Sequence, residues 1–122
     1  MKFSEADTSD SLTIRSYEPG AVIIGEARFT HSVLLTPERV TDWPPADIQS
    51  LESAHFDQLL ALQPELVVLG TGDSQAFPPP QTYAALMGRG IGIEIMNTGA
   101  ACRTYNILMS EGRRVAAALI IG

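Results

Sequence analysis

Cysteine and histidine, two residue types that often provide catalytic or metal-binding chemistry, are scarce in this chain. Its 122 residues include one cysteine, Cys102, and two histidines, His31 and His55. A single cysteine excludes an intrachain disulfide and fits a reducing compartment. These three residues have no metal-ligand spacing, so we expect neither a metal site nor a cofactor. A Cys102 nucleophile would need one of the histidines as its base, and their separation along the chain does not indicate a catalytic pair.

The chain is also poor in positive charge. Its formal net charge is −6, and Lys2 is its only lysine. The excess acidity lies in the first half, because residues 1–64 contain ten acidic and four basic residues, whereas residues 65–122 contain four of each. Contacts to phosphates need clustered lysine and arginine side chains. The composition therefore argues against nucleic-acid binding.

Long hydrophobic runs are absent as well. The longest, residues 115–121, contains seven apolar residues, whereas a membrane-spanning helix needs about 20. The N-terminal segment MKFSEADTSDS lacks the apolar core of a secretion signal and the arginine-rich character of a transit peptide. We therefore expect no membrane insertion and a cytoplasmic location.

The residues that are present have the pattern of one folded domain over residues 1–122. Hydrophobic residues make up 45% of the chain, which is enough for a single core. We expect residues 1–10 to form a frayed polar tail. Runs at 12–17, 21–25 and 31–36, separated by turn residues, predict an N-terminal antiparallel meander. Residues 40–45 then form an extended connector in which we expect Trp43 to anchor on the core.

Helices and strands alternate from residue 53 onward. Strands are predicted at 65–69, 91–96 and 115–121, and a helix precedes each of them. This order predicts parallel strands joined by right-handed crossovers. Strand 65–69 is apolar at nearly every position, so we place it at the centre of the sheet. We expect the meander on one face of this sheet and the helices on the opposite face.

The last helix has a clear apolar face. Thr98 is predicted to be its N-cap, and Gly112 is predicted to end it in the left-handed conformation. Helical spacing places five residues on the core face, with Ile107 pointing away: Ala101, Cys102, Tyr105, Leu108 and Met109. Asn106 lies on the flank of this face, where an asparagine is tolerated when its amide is used. The helix between residues 80 and 88 is predicted to carry Tyr83, Leu86 and Met87 at the same spacing.

Two small polar loops are predicted to meet at one edge of the sheet. Gly70-Thr71-Gly72 follows one parallel strand and Asn97-Thr98-Gly99 follows the next, and ligands collect at such carboxyl ends. Free N–H groups at the helix start could hold a small anion. We therefore predict a candidate ligand-binding site formed by Gly70, Thr71, Gly72, Thr98, Thr104, Tyr105 and Asn106. The alternative is structural: the glycines serve turns, Thr98 caps the helix and Tyr105 fills the core.

Three segments of the chain resemble a known family. They are SVLLTPERVTDW at 32–43, LGTG at 69–72 and GIGIEIMNTGAACRTYNILMSEGRRVAAAL at 90–119. The resemblance is to the uncharacterised family, a Mth-type domain of unknown function, that includes the mitochondrial respiratory complex I assembly factor three and its bacterial and archaeal relatives. It implies a single α/β domain of three layers, β/β/α, with a mixed sheet. For the mitochondrial member it also implies a non-enzymatic role in assembling a membrane complex.

Two classes of function follow. The first is a non-enzymatic, assembly-factor-like module that binds an as yet unidentified protein partner. The second is a small-molecule-binding protein or an enzyme that uses the polar strand-end loops. The absence of a nucleophile–base pair, a metal set or a dinucleotide fingerprint favours the first class. The oligomeric state does not follow from the sequence.

Overall fold

A computed structural model describes residues 12–122 as two β-sheets and three α-helices. The predicted tail at residues 1–10 lies outside the described residues. The strands are β1 (Ile14–Glu18), β2 (Ala21–Ile24), β3 (Ala27–Phe29), β4 (Val33–Leu35), β5 (Val40–Asp42), β6 (Leu66–Gly70), β7 (Gly92–Met96) and β8 (Val115–Leu119). The helices are α1 (Asp57–Leu62), α2 (Ala84–Gly88) and α3 (Thr98–Ser110), and 3₁₀ turns occupy Ile48–Ser50, Ser53–Phe56 and Pro80–Tyr83.

The N-terminal meander is real, but its third strand is β3. Strands β1, β2 and β3 form a three-stranded antiparallel sheet. The predicted strand at 31–36 instead contains β4, which pairs with β8 in the other sheet. The assignment of residues 31–36 to the meander was therefore wrong. The true third strand, β3, was not recognised because it is only three residues long and carries one apolar aromatic residue, Phe29. The predicted connector at 40–45 also begins with a strand, β5, which pairs with β4.

The larger sheet has five strands in the order β5-β4-β8-β6-β7. Strand β6 pairs in parallel with both β7 and β8, as predicted, whereas β4 pairs antiparallel with β8. The sheet is therefore mixed, and its central strand is β8 rather than the strand at 65–69. Both β6 and β8 are buried at all five positions, so an apolar run alone did not distinguish the centre from its neighbour.

The two faces of this sheet bury separate groups of side chains. One face packs β1 and β2 together with α3 against residues such as Val68 and Ala117. The other packs Trp43, the turn before α1, α1 and α2 against residues such as Val67 and Ala118. The expectation that all helices lie opposite the meander was wrong for α3, because its apolar stripe contacts both the meander and the sheet. The predicted three-layer α/β fold class with a mixed sheet is confirmed.

Several predicted side-chain positions are confirmed as well. Trp43 is only 2% exposed, and its indole N–H donates to the carbonyl of His55 at 3.1 Å, so it anchors the connector as expected. On α3, Ile107 is 58% exposed and points away from the core. On α2, Leu86 is fully buried, whereas Met87 is 59% exposed. Because α2 contains only five residues, Leu86 alone covers its short contact with the core.

Candidate functional site

Helix α3 starts one residue earlier than the capping prediction required. Asn97, with an extended backbone (φ −66°, ψ 161°), is the N-cap, and its side-chain oxygen accepts from the backbone N–H of Ala100 at 2.8 Å. Thr98 is the first helical residue, and its assignment as N-cap was wrong. Asparagine and threonine are both good caps, and the sequence offered the two side by side.

Thr98 has a different structural role, which joins three segments of the chain. Its side chain is fully buried, and its hydroxyl donates to the carbonyl of Ile120 at 2.8 Å. The same hydroxyl accepts from the N–H of Gly72 at 2.8 Å, and the Thr98 N–H donates to the Gly72 carbonyl at 2.8 Å. The start of α3 is therefore attached both to the loop after β6 and to the segment after β8.

Gly70 is required for this close approach. A Cβ atom at Gly70 would lie 2.9 Å from both the Cα and the Oγ1 atoms of Thr98, which is too close for two non-bonded atoms in a packed core. Gly72 has φ +101°, a backbone conformation that glycine adopts readily. The two predicted loops thus meet as expected, and they meet in direct contact.

Thr71 organises the rest of the loop. It is 5% exposed, its N–H donates to Met96 O at 2.9 Å, and its hydroxyl lies 2.7 Å from the carbonyl of Ser74. The hydroxyl also accepts from the N–H of Ala76 at 3.2 Å. Gln75 adds a further bond from its side-chain amide to the carbonyl of Ile95, at 3.0 Å. These bonds hold residues 71–76 against the ends of β6 and β7.

The rim of this edge includes two residues that the sequence did not point to. The Tyr17 hydroxyl donates to Asp73 Oδ1 at 2.9 Å, and its ring lies 3.1 Å from the position that a Cβ of Gly99 would occupy. Burial, followed by the hydrogen bond to Asp73, raises the pKa of Tyr17 to about 12. Tyr17 is therefore a neutral donor at neutral pH. No local signal could pair residues 56 positions apart.

The other predicted site residues lie on α3 but serve different contacts. Tyr105 is fully buried, and its hydroxyl donates to the carbonyl of Leu12 at 3.2 Å. Its core assignment is confirmed, and burial raises the pKa of its phenol. Thr104 lies beside β7, with its hydroxyl 3.4 Å from the sulfur of Met96.

Asn106 uses both ends of its amide on one residue of β1. Its Nδ2 donates to the carbonyl of Ile14 at 2.7 Å, and its Oδ1 accepts from the Ile14 N–H at 3.0 Å. A neighbouring β-strand would satisfy the edge of β1 with the same donor and acceptor pair. The expectation that the Asn106 amide is used is confirmed. Its partner is the meander and not the loops at 70–72 and 97–99.

Cys102 and the histidines occupy separate environments. Burial raises the pKa of the Cys102 thiol to about 12, so it remains protonated at neutral pH. His31 Nε2 lies 2.7 Å from Asp42 Oδ1, and His55 Nδ1 accepts from the N–H of Glu52 at 2.9 Å. Over residues 12–122, no cluster of three or more histidine, cysteine or carboxylate side chains could hold a metal ion.

A cavity of about 340 Å³ lies at the opposite end of the large sheet, where β6 and β8 begin. Its lining combines apolar residues such as Met109 and Val115 with charged residues such as Glu38 and Arg114. Beside it, Arg113 Nε donates to Glu65 Oε2 at 3.0 Å. Hydrogen bonds from the Arg114 backbone and the Arg113 side chain lower the pKa of Glu65. None of the residues predicted for ligand binding lines this cavity.

Fold and site together define a three-layer α/β protein whose strand-end loops are closed by internal hydrogen bonds. None of the helices in residues 12–122 is long and apolar enough to cross a membrane. Residues 14–120 match the family described as "Protein of unknown function (DUF498/DUF598)". The chain belongs to this family, and the resemblance inferred from its motifs is confirmed.

Relatives in the family carry different names. The chain is 30% identical over 98% of its length to the "13 kDa major membrane protein" of Francisella tularensis and covers 99% of that protein. It is 37% identical, again over 98% of its length, to the NADH dehydrogenase (ubiquinone) 1 alpha subcomplex assembly factor 3 of Mus musculus, of which it spans 63%. A solution NMR structure of a Mth938-like domain from Bordetella pertussis matches with a TM-score of 0.83 and 30% identity, covering 98% of this chain and 91% of that one.

Proposed function

We propose that this protein is a non-enzymatic, assembly-factor-like module that binds a protein partner. The observation that carries the proposal is the hydrogen bonding and burial of the residues predicted at the strand-end loops. Thr98, Thr71 and Gly72 are bonded to other parts of the chain, and the first two are almost completely buried. This edge of the sheet therefore acts as a scaffold that holds the loop after β6 in place.

The match to an assembly factor supports the same proposal. The similarity to the mouse protein extends over 98% of this chain, so the region in common is the whole three-layer fold rather than a short motif. The mouse protein is longer, and its role in assembly is transferred here only as a class of function. The cytoplasmic location also remains a prediction.

The contact surface in this proposal is the loop that follows β6. Phe77 lies in this loop and is 68% exposed, although the preceding residues are fixed by Thr71 and Gln75. Pro78, Pro79 and Pro80 follow it and further limit the freedom of the backbone. An aromatic side chain on a pre-organised loop loses little entropy when it is buried by a partner.

Affinity capture with matched variants tests the module and its surface together. Tagged wild type, Phe77→Ala and Ile107→Ala are compared by quantitative mass spectrometry. Ile107 is the control because it is a similarly exposed apolar residue on α3. We expect a reproducible partner whose retention falls about tenfold or more with Phe77→Ala, as for an interface hot spot, and is unchanged with Ile107→Ala. Equal retention by both variants would reject the loop as the contact, and the absence of any reproducible partner would reject the module.

The second candidate function is binding of a small ligand at Gly70, Thr71, Gly72, Thr98, Thr104, Tyr105 and Asn106. It is favoured by the position of the loops at the carboxyl ends of parallel strands. A thermal-shift screen against cellular metabolites tests it, because a ligand at 100 times its Kd stabilises by about 2.7 kcal/mol. A metabolite that raises the Tm and shifts the backbone amides of Gly70 and Gly72 would replace the module as the leading function.

A further inference from the structure

Strand β7 forms one edge of the five-stranded sheet, with β6 as its neighbour. The Gly92 N–H donates to the carbonyl of Glu65, and the Met96 carbonyl accepts from the Thr71 N–H. Successive residues of a strand direct their peptide groups to opposite sides. Gly92, Glu94 and Met96 therefore face β6, and the peptide groups of the three intervening isoleucines, Ile91, Ile93 and Ile95, face outward.

Two of these outward groups are satisfied within the chain. The Ile91 N–H donates to the carbonyl of Leu86 at 3.0 Å. The Ile95 carbonyl accepts from the Gln75 side chain at 3.0 Å. Four groups have no partner within residues 12–122: the N–H of Ile93, the carbonyl of Ile93, the N–H of Ile95 and the carbonyl of Ile91.

This pattern is complementary to itself. We propose that β7 pairs antiparallel with β7 of a second copy of this chain, centred on Ile93, so that the two large sheets become continuous. Each Ile93 then exchanges both backbone bonds with the second copy's Ile93, and each Ile95 N–H donates to the second copy's Ile91 carbonyl. The remaining rungs of such a ladder would join Ile91 N–H to Ile95 carbonyl. Those two groups are already bonded to the Leu86 carbonyl and the Gln75 side chain, so the proposed pairing is confined to the four remaining outward groups in the middle of β7.

Side-chain charge favours the same register. Centring on Ile93 places Glu94 opposite the second copy's Gly92, so the two carboxylates do not face each other. A two-fold axis at Glu94 would oppose the carboxylates, and like charges directly opposite are destabilising. It would also direct the Ile93 N–H to the occupied carbonyl of Ile95. The residues of β7 include neither the lysine nor the proline that commonly protects an edge strand.

Hydrogen exchange on the wild-type protein tests this pairing and contains its own control. At a protein concentration of about 10 μM, a largely monomeric chain should exchange its Ile93 and Ile95 amides rapidly, because both face solvent. At about 1 mM these two amides should slow by roughly tenfold or more as the sedimentation mass doubles. The Glu94 amide faces β6 and should be protected at both concentrations.

A proline substitution separates this pairing from other associations. Ile93→Pro removes an N–H that faces away from β6, so the ladder to β6 is retained, and Ile93→Val is the control because it keeps the N–H. We expect the dimer to be lost with Ile93→Pro and kept with Ile93→Val. If Ile93→Pro does not fold, the wild-type exchange data still decide.

The possible outcomes are distinct. The pairing is rejected if the protein remains monomeric at about 1 mM and its Ile93 amide exchanges rapidly. It is also rejected by a dimer without protection of Ile93, or by protection that does not depend on concentration. Protection that appears only when another protein is added would assign the edge to a different partner, which also rejects pairing between copies. The proposed function is unaffected by these results, because its test measures Phe77.

Discussion

The contacts of Thr98 predict an unusually large effect for the loss of one hydroxyl group. In Thr98→Val the shape of the side chain is kept, but the hydroxyl that donates to Ile120 and accepts from Gly72 is removed. Two hydrogen bonds contribute about 0.5 to 1.5 kcal/mol each, and a buried backbone group left unpaired costs about 1 to 3 kcal/mol. Because the loop can partly relax, we expect a loss of about 2 to 4 kcal/mol of unfolding free energy.

Urea denaturation measures this loss. With a slope of about 2 kcal/mol per molar urea, the midpoint should fall by about 1 to 2 M for Thr98→Val. Thr98→Ser is the control, because it keeps the hydroxyl and loses one methyl group, at about 1 kcal/mol. Asn97→Ala should lose the helix cap alone, also at about 1 kcal/mol. If Thr98→Val and Thr98→Ser have the same midpoint, the hydroxyl does not connect the three segments and the reasoning is refuted.

Four further predictions concern the same fold. Tyr105→Ala should cost about 3 to 5 kcal/mol, because it empties a fully buried site; an unchanged urea midpoint would contradict its core role. Asn106→Leu should cost about 2 to 3 kcal/mol and speed hydrogen exchange at Ile14 more than at β8; equal exchange at Ile14 would show that the amide does not hold β1. Gly70→Ala should destabilise by about 1 to 3 kcal/mol through overpacking against Thr98, whereas no change in Tm would mean that the helix can shift. The pKa of Glu65 is lowered in the folded state by bonds from the Arg114 backbone and the Arg113 side chain. Its contribution to stability is therefore present above the unfolded pKa and is lost as the pH falls through the folded value. Glu65→Gln should weaken the acid dependence of stability, and an identical pH profile would argue against these bonds to Arg114 and Arg113.

The regular part of the fold could be predicted because it depends on local pattern. The alternation of helix and strand after residue 53 identified β6, β7 and β8 and their parallel pairing, since such a chain has few other ways to cover its apolar strands. The order of strands within the sheet could not be obtained in this way. Strand β8 is central because β4 pairs with its free side, and nothing in the sequence of β4 specifies that partner.

The candidate site shows where this reasoning reaches its limit. The loops at 70–72 and 97–99 were correctly placed together, because both follow parallel strands. Whether their polar groups face a ligand or each other depends on how closely the two loops approach, which the spacing of residues along the sequence does not specify. The absence of a side chain at Gly70 decides it by letting Thr98 approach, and Tyr17 then reaches Asp73 from a separate sheet.

Asn106 shows the same limit from the other direction. Its position in the middle of α3 indicated that its amide has a specific use, because asparagine is otherwise unfavourable there. The sequence allowed that partner to be a ligand or a part of the chain. The structure provides Ile14, whose N–H and carbonyl would otherwise form an exposed strand edge. A side chain on α3 thus closes the edge of β1, whereas within residues 12–122 the middle of β7 has no such side chain bonded to its outward peptide groups, and β7 is the edge proposed to join two copies.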